Sequence, residues 1–179
     1  MSSFLRLLGI VSPPSRRVAF RDLRVRLREV RRWGWDVDAA VRLKVAREAF
    51  VEAQGTLKAC ATCARGHELP HGRWDGGFCC GGRTSELFTD EELAGLVACG
   101  VRASALVLPR GSDHAGCVFR GPLGCSLAPL ARPSICLWYL CRDVGRELAA
   151  TGRGRPVGAL ATSLQEAFEA FVASIERAP

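Results

Sequence analysis

Apolar residues recur at helical spacing in most stretches of the chain that lack glycine and proline. Phe20, Leu23, Leu27 and Val30 form one such stripe, within a basic stretch from Arg16 to Arg32. Leu23, Val25 and Leu27 also alternate, which permits a strand, but the longer pattern favours a helix. Trp33-Gly34-Trp35 then leads to Asp36 and Asp38, either of which can cap a helix over 37–54. On that helix Val37, Val41, Val45 and Ala49 form a stripe, with Leu43, Ala46, Phe50 and Ala53 beside it. Gly55 suits the left-handed residue that ends it. Thr89 and Glu92 have the spacing of a capping box, and Phe88 and Leu93 that of a hydrophobic staple. They predict a helix ending near Cys99-Gly100. Ala105–Leu108, short and followed by Pro109, reads as a strand or extended segment. Pro133 suits the first turn of a helix running through Tyr139 to Ala150. Ser163 and Glu166 predict a last helix whose buried stripe is Leu164, Phe168, Phe171, Val172 and Ile175.

Between these elements, 66–82, 110–132 and 151–158 read as loops, and the first two carry cysteines. Loops of that length are uncommon in a compact domain unless something fixes them. The expected fold is therefore mostly α: a small helical domain with long irregular cysteine-rich loops organised around a metal centre. Its expected parts are a basic N-terminal extension, 1–35, and a single cysteine-rich metal-binding domain, 36–179. No repeat of 20–50 residues is present, which argues against a solenoid.

With 179 residues, 48% hydrophobic and 24% charged, the chain suffices for one domain with a real core and is too rich in apolar residues for general disorder. The net charge is +7, and its distribution matters more than its size. Residues 1–58 hold 13 basic and 6 acidic residues, so the excess lies in the first third, with eight arginines in 16–32. That stretch is a candidate contact for a protein partner and, less favoured, for nucleic acid; the bland reading is a solvated face. No apolar run reaches the ~20 residues of a membrane span. Phe4–Val11 is apolar but interrupted by Arg6 and Gly9, with no small-residue cleavage site after it, so no secretory signal is expected. Residues 1–21 do lack acids, a feature shared with organellar transit peptides. A cytoplasmic location is expected.

The nine cysteines carry the chemistry: Cys60, Cys63, Cys79, Cys80, Cys99, Cys117, Cys125, Cys136 and Cys141. An odd number, with one C-x-x-C pair and no export signal, favours metal-bound or unoxidised thiols over a disulfide framework. Cys60-Ala-Thr-Cys63 lets two sulfurs face one ion from a tight turn; a redox pair would want a strand before it and a helix after it, whereas a helix precedes it here. Cys79-Cys80 lies between Gly76-Gly77 and Gly81-Gly82, which free the backbone to turn both thiols toward one site. Two small buried hydrophobes are the bland alternative. Cys136 and Cys141 are five apart, about 140° around an ideal helix, so an undistorted helix cannot aim both at one centre. Cys99, at a helix end, reads as a core thiol. His67 and His71, four apart, have the types to ligate zinc but read as loop residues, as does His114.

The order Cys60-x-x-Cys63, Gly77-Phe78-Cys79-Cys80, Cys117-Val-Phe, Cys125-Ser-Leu, Arg132-Pro133-x-x-Cys136 resembles the CxxCxxCC family. That family is described as a zinc- or iron-chelating domain of small cytoplasmic proteins. The pattern is also similar to the cysteine-rich part of flagellin lysine N-methylase. The resemblance covers Cys60 to Cys141 and implies metal chelation there, or an iron–sulfur cluster as in the methylase. It departs from the family in the 15 residues, Ala64–Phe78, that separate Cys63 from Cys79.

The candidate metal ligands are Cys60, Cys63, Cys79, Cys80, Cys117, Cys125, Cys136 and Cys141. Structural zinc is usually held by repeated short-spaced pairs, and the later spacings of 1, 8, 11 and 5 fit that poorly. A [4Fe–4S] cluster asks one thiolate of each iron and tolerates scattered ligands, so it is favoured over zinc. Arg120, Arg132 or Arg142 would offset the negative charge, and Trp138 and Tyr139 either shield the centre or pack as ordinary core. The expected function is a binding, electron-transfer or structural metal module. A cluster-dependent protein-modifying enzyme like the methylase and a basic nucleic-acid-binding accessory protein are the alternatives. The chain has no G-x-G-x-x-G loop, no C-x3-C-x2-C triplet and no evident nucleophile set, so no catalytic residue is assigned.

Overall fold

The computed structural model describes residues 16–60, 84–109, 117–121 and 124–177. These are mostly helical: α1 (Arg16–Glu29), α2 (Val37–Gln54), α3 (Thr84–Leu87), α4 (Asp90–Ala98), α5 (Ser134–Trp138), α6 (Arg142–Ala150) and α7 (Gly154–Ala173). One short antiparallel hairpin, β1 (Arg120–Gly121) and β2 (Gly124–Cys125), pairs Arg120 with Cys125 and Gly121 with Gly124.

α1 settles the helix-or-strand alternative in favour of helix, and Leu23 and Leu27 on its inner face are buried. With Val30 they belong to the same apolar cluster as Leu43, Phe50, Leu93, Phe119 and Phe171. α2 begins as the sequence indicates: the Asp36 carboxylate accepts from the Ala39 N–H at 2.6 Å, and Gly55 ends the helix at φ 59°. Its buried face is not the valine stripe. Val37, Val41 and Val45 are 70%, 54% and 59% exposed, while Leu43 and Phe50 are fully buried. The larger leucine and phenylalanine remove more apolar surface from water, and they decide which way the helix rolls.

α2 lies along α7, the most extensive helix pairing among the described residues. Trp35 tilts onto Phe171, ring centroids 5.9 Å apart. Gly34 and Glu176 exchange two backbone hydrogen bonds of 2.9 Å, closing the end of α7 on the entry to α2. α7 starts at Gly154, nine residues before Ser163, so Ser163 and Glu166 lie inside the helix and do not cap it. Pro156 stands in its first turn, where a missing N–H costs nothing, and fully buried Val157 anchors that turn. Of the expected stripe Leu164 and Phe171 are buried, while Phe168, Val172 and Ile175 pack against the core from its edge.

After the 3₁₀ turn Ala103–Ala105, residues 106–109 lie in neither helix nor strand, so of the strand or extended segment expected there no strand forms. One further expectation fails. The helix expected from Pro133 to Ala150 is two helices, broken at Tyr139–Cys141, with Cys141 in the N-cap position of α6. Cys136 and Cys141 therefore sit on separate helices, which removes the angular constraint that one continuous helix would impose on them.

Candidate metal centre

The turn that carries Cys136 is held from both sides by buried charged groups. Arg47, on the buried face of α2 between Leu43 and Phe50, is 1% exposed. Its guanidinium donates to the Leu130 carbonyl at 3.0 Å, the Arg132 carbonyl at 2.6 Å and the Ser134 hydroxyl at 2.7 Å. Glu92, on α4, accepts from the Ser134 N–H at 2.6 Å and the Ile135 N–H at 2.9 Å. Arginine thus takes carbonyls ahead of Pro133, and glutamate takes the first N–H groups of α5. The Ser134 hydroxyl links them, accepting from Arg47 and bonding to the Glu92 carboxylate.

Burial raises the Glu92 pKa, opposed by the two N–H groups, the Arg47 charge and the Ser134 hydroxyl. Burial lowers that of Arg47, opposed by Cys99, Glu92 and Cys136. Neither Arg47 nor this role of Glu92 stood out in the sequence. The half of the capping box that does form is the Glu92 N–H donating to Thr89 Oγ1 at 3.2 Å. The Glu92 side chain is committed to α5 instead. The available sign of Arg47 was its place on the Leu43–Phe50 face, where a surface arginine does not belong.

Cys136 itself is partly buried against the core. Burial pushes its thiol well above the ordinary range, Cys117, Cys125 and Glu92 push it the same way, and Arg132 opposes them. Two cysteines 19 and 11 residues upstream are therefore near enough to be felt electrically at the third. The hairpin brings them there. Val118 N–H donates to Thr84 Oγ1 at 3.0 Å, and Ser126 Oγ donates to the Val107 carbonyl at 2.6 Å. Cys117 is buried beside fully buried Phe119, which packs on Phe88 and Phe20. Gly121 admits no side chain, since a Cβ there would meet Pro109 at 2.5 Å.

The other described candidates, Cys60 and Cys141, have neighbours of their own. Cys60 packs at the edge of the core. The chain before it is fastened to α6: the Lys58 N–H donates to the Glu147 carboxylate at 2.9 and 3.1 Å, and the Ala59 N–H at 2.7 Å. These bonds draw the start of the C-x-x-C segment to the helix that Cys141 opens. Cys141 does not figure among the groups that shift Cys136. Cys99, at the end of α4, is partly buried at the core's edge as expected, and desolvation raises its pKa against Arg47 and Lys44. Cys99, Cys136 and Cys141 carry free thiols. Of the three arginines named from sequence, Arg132 acts on Cys136. Arg120 is buried in the hairpin, and Arg142 is exposed. Trp138 packs on Phe168 with centroids 5.5 Å apart, and Tyr139 is exposed, so the indole is core packing.

Cys63, Cys79, Cys80, His67, His71 and His114 lie outside the described residues. Among the described residues no group of three or more His, Cys, Asp or Glu side chains is arranged to hold a metal ion. Nor is any of their helices long and apolar enough to cross a membrane. No known protein family, curated protein or solved structure matches the chain.

The chemistry of the donors fits a thiophilic cation. Thiols that individually resist ionisation, because they are buried and repel one another as thiolates, gain most from a positive ion that binds the deprotonated form. Cys136 meets that description, with buried Cys117 and exposed Cys125 acting on it, and the clamp on residues 130–135 fixes the backbone from which Cys136 projects.

Proposed function

We propose that this protein is a small cysteine-ligated metalloprotein, with a [4Fe–4S] cluster as the favoured content and zinc as the alternative for the same thiols. The ligands are drawn from Cys60, Cys63, Cys79, Cys80, Cys117, Cys125, Cys136 and Cys141. The observation that carries the reading is the electrical influence of Cys117 and Cys125 on Cys136, three thiols from separate segments, at a backbone clamped by Arg47 and Glu92. The resemblance of the cysteine order to the CxxCxxCC pattern supports it independently. The function is that of a metal-binding or electron-transfer module, the cluster chemistry being the inorganic core's and the protein supplying ligands, burial and a nearby cation in Arg132.

Oxygen-free purification followed by an absorption spectrum and by iron, zinc and sulfide analysis tests this. A brown protein with broad visible absorption and acid-labile sulfide supports the cluster, whereas a colourless, zinc-bearing protein supports the alternative, because d¹⁰ zinc has no such transitions. Cys117→Ser and Cys136→Ser should lose the metal, and Cys99→Ser should keep it. A protein without stoichiometric metal from both aerobic and oxygen-free preparations overturns the reading.

A further inference from the structure

A separate surface, about 110° around α1 from its buried leucines, has a chemistry of its own. Arg17, Arg21, Arg24 and Arg28 are all exposed and follow one another at intervals of four, three and four residues. On a helix of 100° per residue they fall within a sector of about 60°, spread along roughly 16 Å of axis. The two acids of the helix, Asp22 and Glu29, fall off this line by about 80° or more. Arg21 has only a loose 4.0 Å contact with Asp22. Among the described residues Arg17, Arg24 and Arg28 have no ion pair, whereas Arg26, on the far side of the helix from this row, pairs with Asp90 at 2.7 Å. Arg31 and Arg32 extend the charge into the following 3₁₀ turn, where both are exposed. Together with Phe20 and Val25, the four arginines line an open groove of about 170 Å³.

Like charges set four to a row on one face cost stability unless a partner takes them up, since same-sign neighbours at this spacing repel. Guanidinium is the cation best suited to phosphate, giving two parallel hydrogen bonds to its oxygens. We propose that the solvent face of α1 binds the phosphodiester backbone of a nucleic acid, without reading its sequence. A regular row of cations matches a polymer whose charge repeats regularly along its length. A membrane surface is disfavoured because the face carries no exposed aromatic or leucine to enter the interface; its exposed large apolar residues are Val18 and Val25. The helix does not enter a groove with its whole circumference, because Leu23 and Leu27 tie its inner face to the core. Contact is therefore to phosphates, which gives affinity and no base preference. The surface is independent of the metal reading, and either stands without the other.

The test is fluorescence anisotropy of a labelled mixed-sequence DNA duplex with the full chain, from about 50 to 200 mM salt. The expected slope of log K on log salt is about −3 to −4 for four phosphate contacts. The variant R17Q/R24Q/R28Q should lose roughly tenfold or more in affinity at the lower salt and flatten the slope by about 3. Glutamine keeps helix propensity, and far-UV circular dichroism checks that the fold survives. A control with the same charge removed elsewhere, R42Q/R102Q/R155Q, should change binding much less. Absent binding, salt-independent binding or an equal loss in the control overturns the proposal. So does tighter binding of polyglutamate or of anionic phospholipid vesicles than of the duplex, which would point to an acidic protein or to a membrane.

Discussion

Arg47 and Glu92 show how a single side chain can matter more to this molecule than its sequence context suggests. A buried guanidinium is costly to desolvate, and here the cost is offset by two carbonyls, a hydroxyl and the nearby carboxylate. Removing one partner leaves the others buried and unsatisfied. Arg47→Met is therefore expected to lower stability by about 3–5 kcal/mol, and Glu92→Gln, which keeps one acceptor for two N–H groups, by about 1–3 kcal/mol. Because Ser134 bridges the pair, the double variant should cost less than the sum of the two. Urea denaturation of the four proteins checks this, and strict additivity would mean the clamp is two unrelated contacts. The residue level was only partly legible beforehand. Asp36, Gly55 and Thr89 declare themselves because caps and left-handed turns demand particular residue types. Arg47 does not, since arginine is ordinarily a surface residue and only the three-dimensional arrival of Leu130, Arg132 and Ser134 makes it a core one.

Elements were readable where local signals and packing agree, and misread where packing overrides them. α2 has a cap at each end and both were found. Yet its core-facing side follows Leu43 and Phe50, because two candidate stripes on one helix cannot be ranked until the neighbouring helix is in place. The break between α5 and α6 has no glycine or proline to announce it; it lies between Leu137 and Val144, both buried in the core. The start of the C-x-x-C segment is set in a similar non-local way, by Glu147 on α6. That carboxyl is held below its usual range, first by the Lys58 N–H, with the Ala59 N–H and Arg153 adding to it and desolvation opposing. A carboxyl lowered in the fold contributes stability above its unfolded value of about 4.3 and loses it as pH falls through the folded value. Hydrogen-exchange protection of the Lys58 and Ala59 amides should accordingly be full near neutrality and fall below about pH 4. In Glu147→Gln it should be weak at every pH. Protection that ignores both acid and the substitution would show that another contact holds this segment.

At the scale of the whole chain, two kinds of stabilisation lie side by side. The described helices share one apolar cluster reaching from Leu23 to Phe171. It is latched at one end by the Gly34–Glu176 bridge and by Arg177, which pairs with Glu91 at 2.6 Å and lies over the Trp33 ring. The latch uses no proposed ligand, while Cys117 belongs to the cluster and Cys60, Cys136 and Cys141 pack against it. In the proposed centre, by contrast, thiols from 60–80 and from 117–141 share an ion, so the metal would contribute where the helices do not. This separates the protein from small zinc domains that unfold outright without metal. Chelation, or cluster loss on exposure to oxygen, is expected to leave most of the far-UV helical signal in place. Exchange protection should fall around Cys117–Cys125 and Cys60, and the midpoint of thermal unfolding should drop, as it must when a ligand that binds only the folded state is withdrawn. Loss of all helical signal with the metal would show that the apolar cluster cannot stand alone. An unchanged midpoint with the metal demonstrably gone would place the ion outside the fold's energetics, on a surface rather than among Cys117, Cys125 and Cys136.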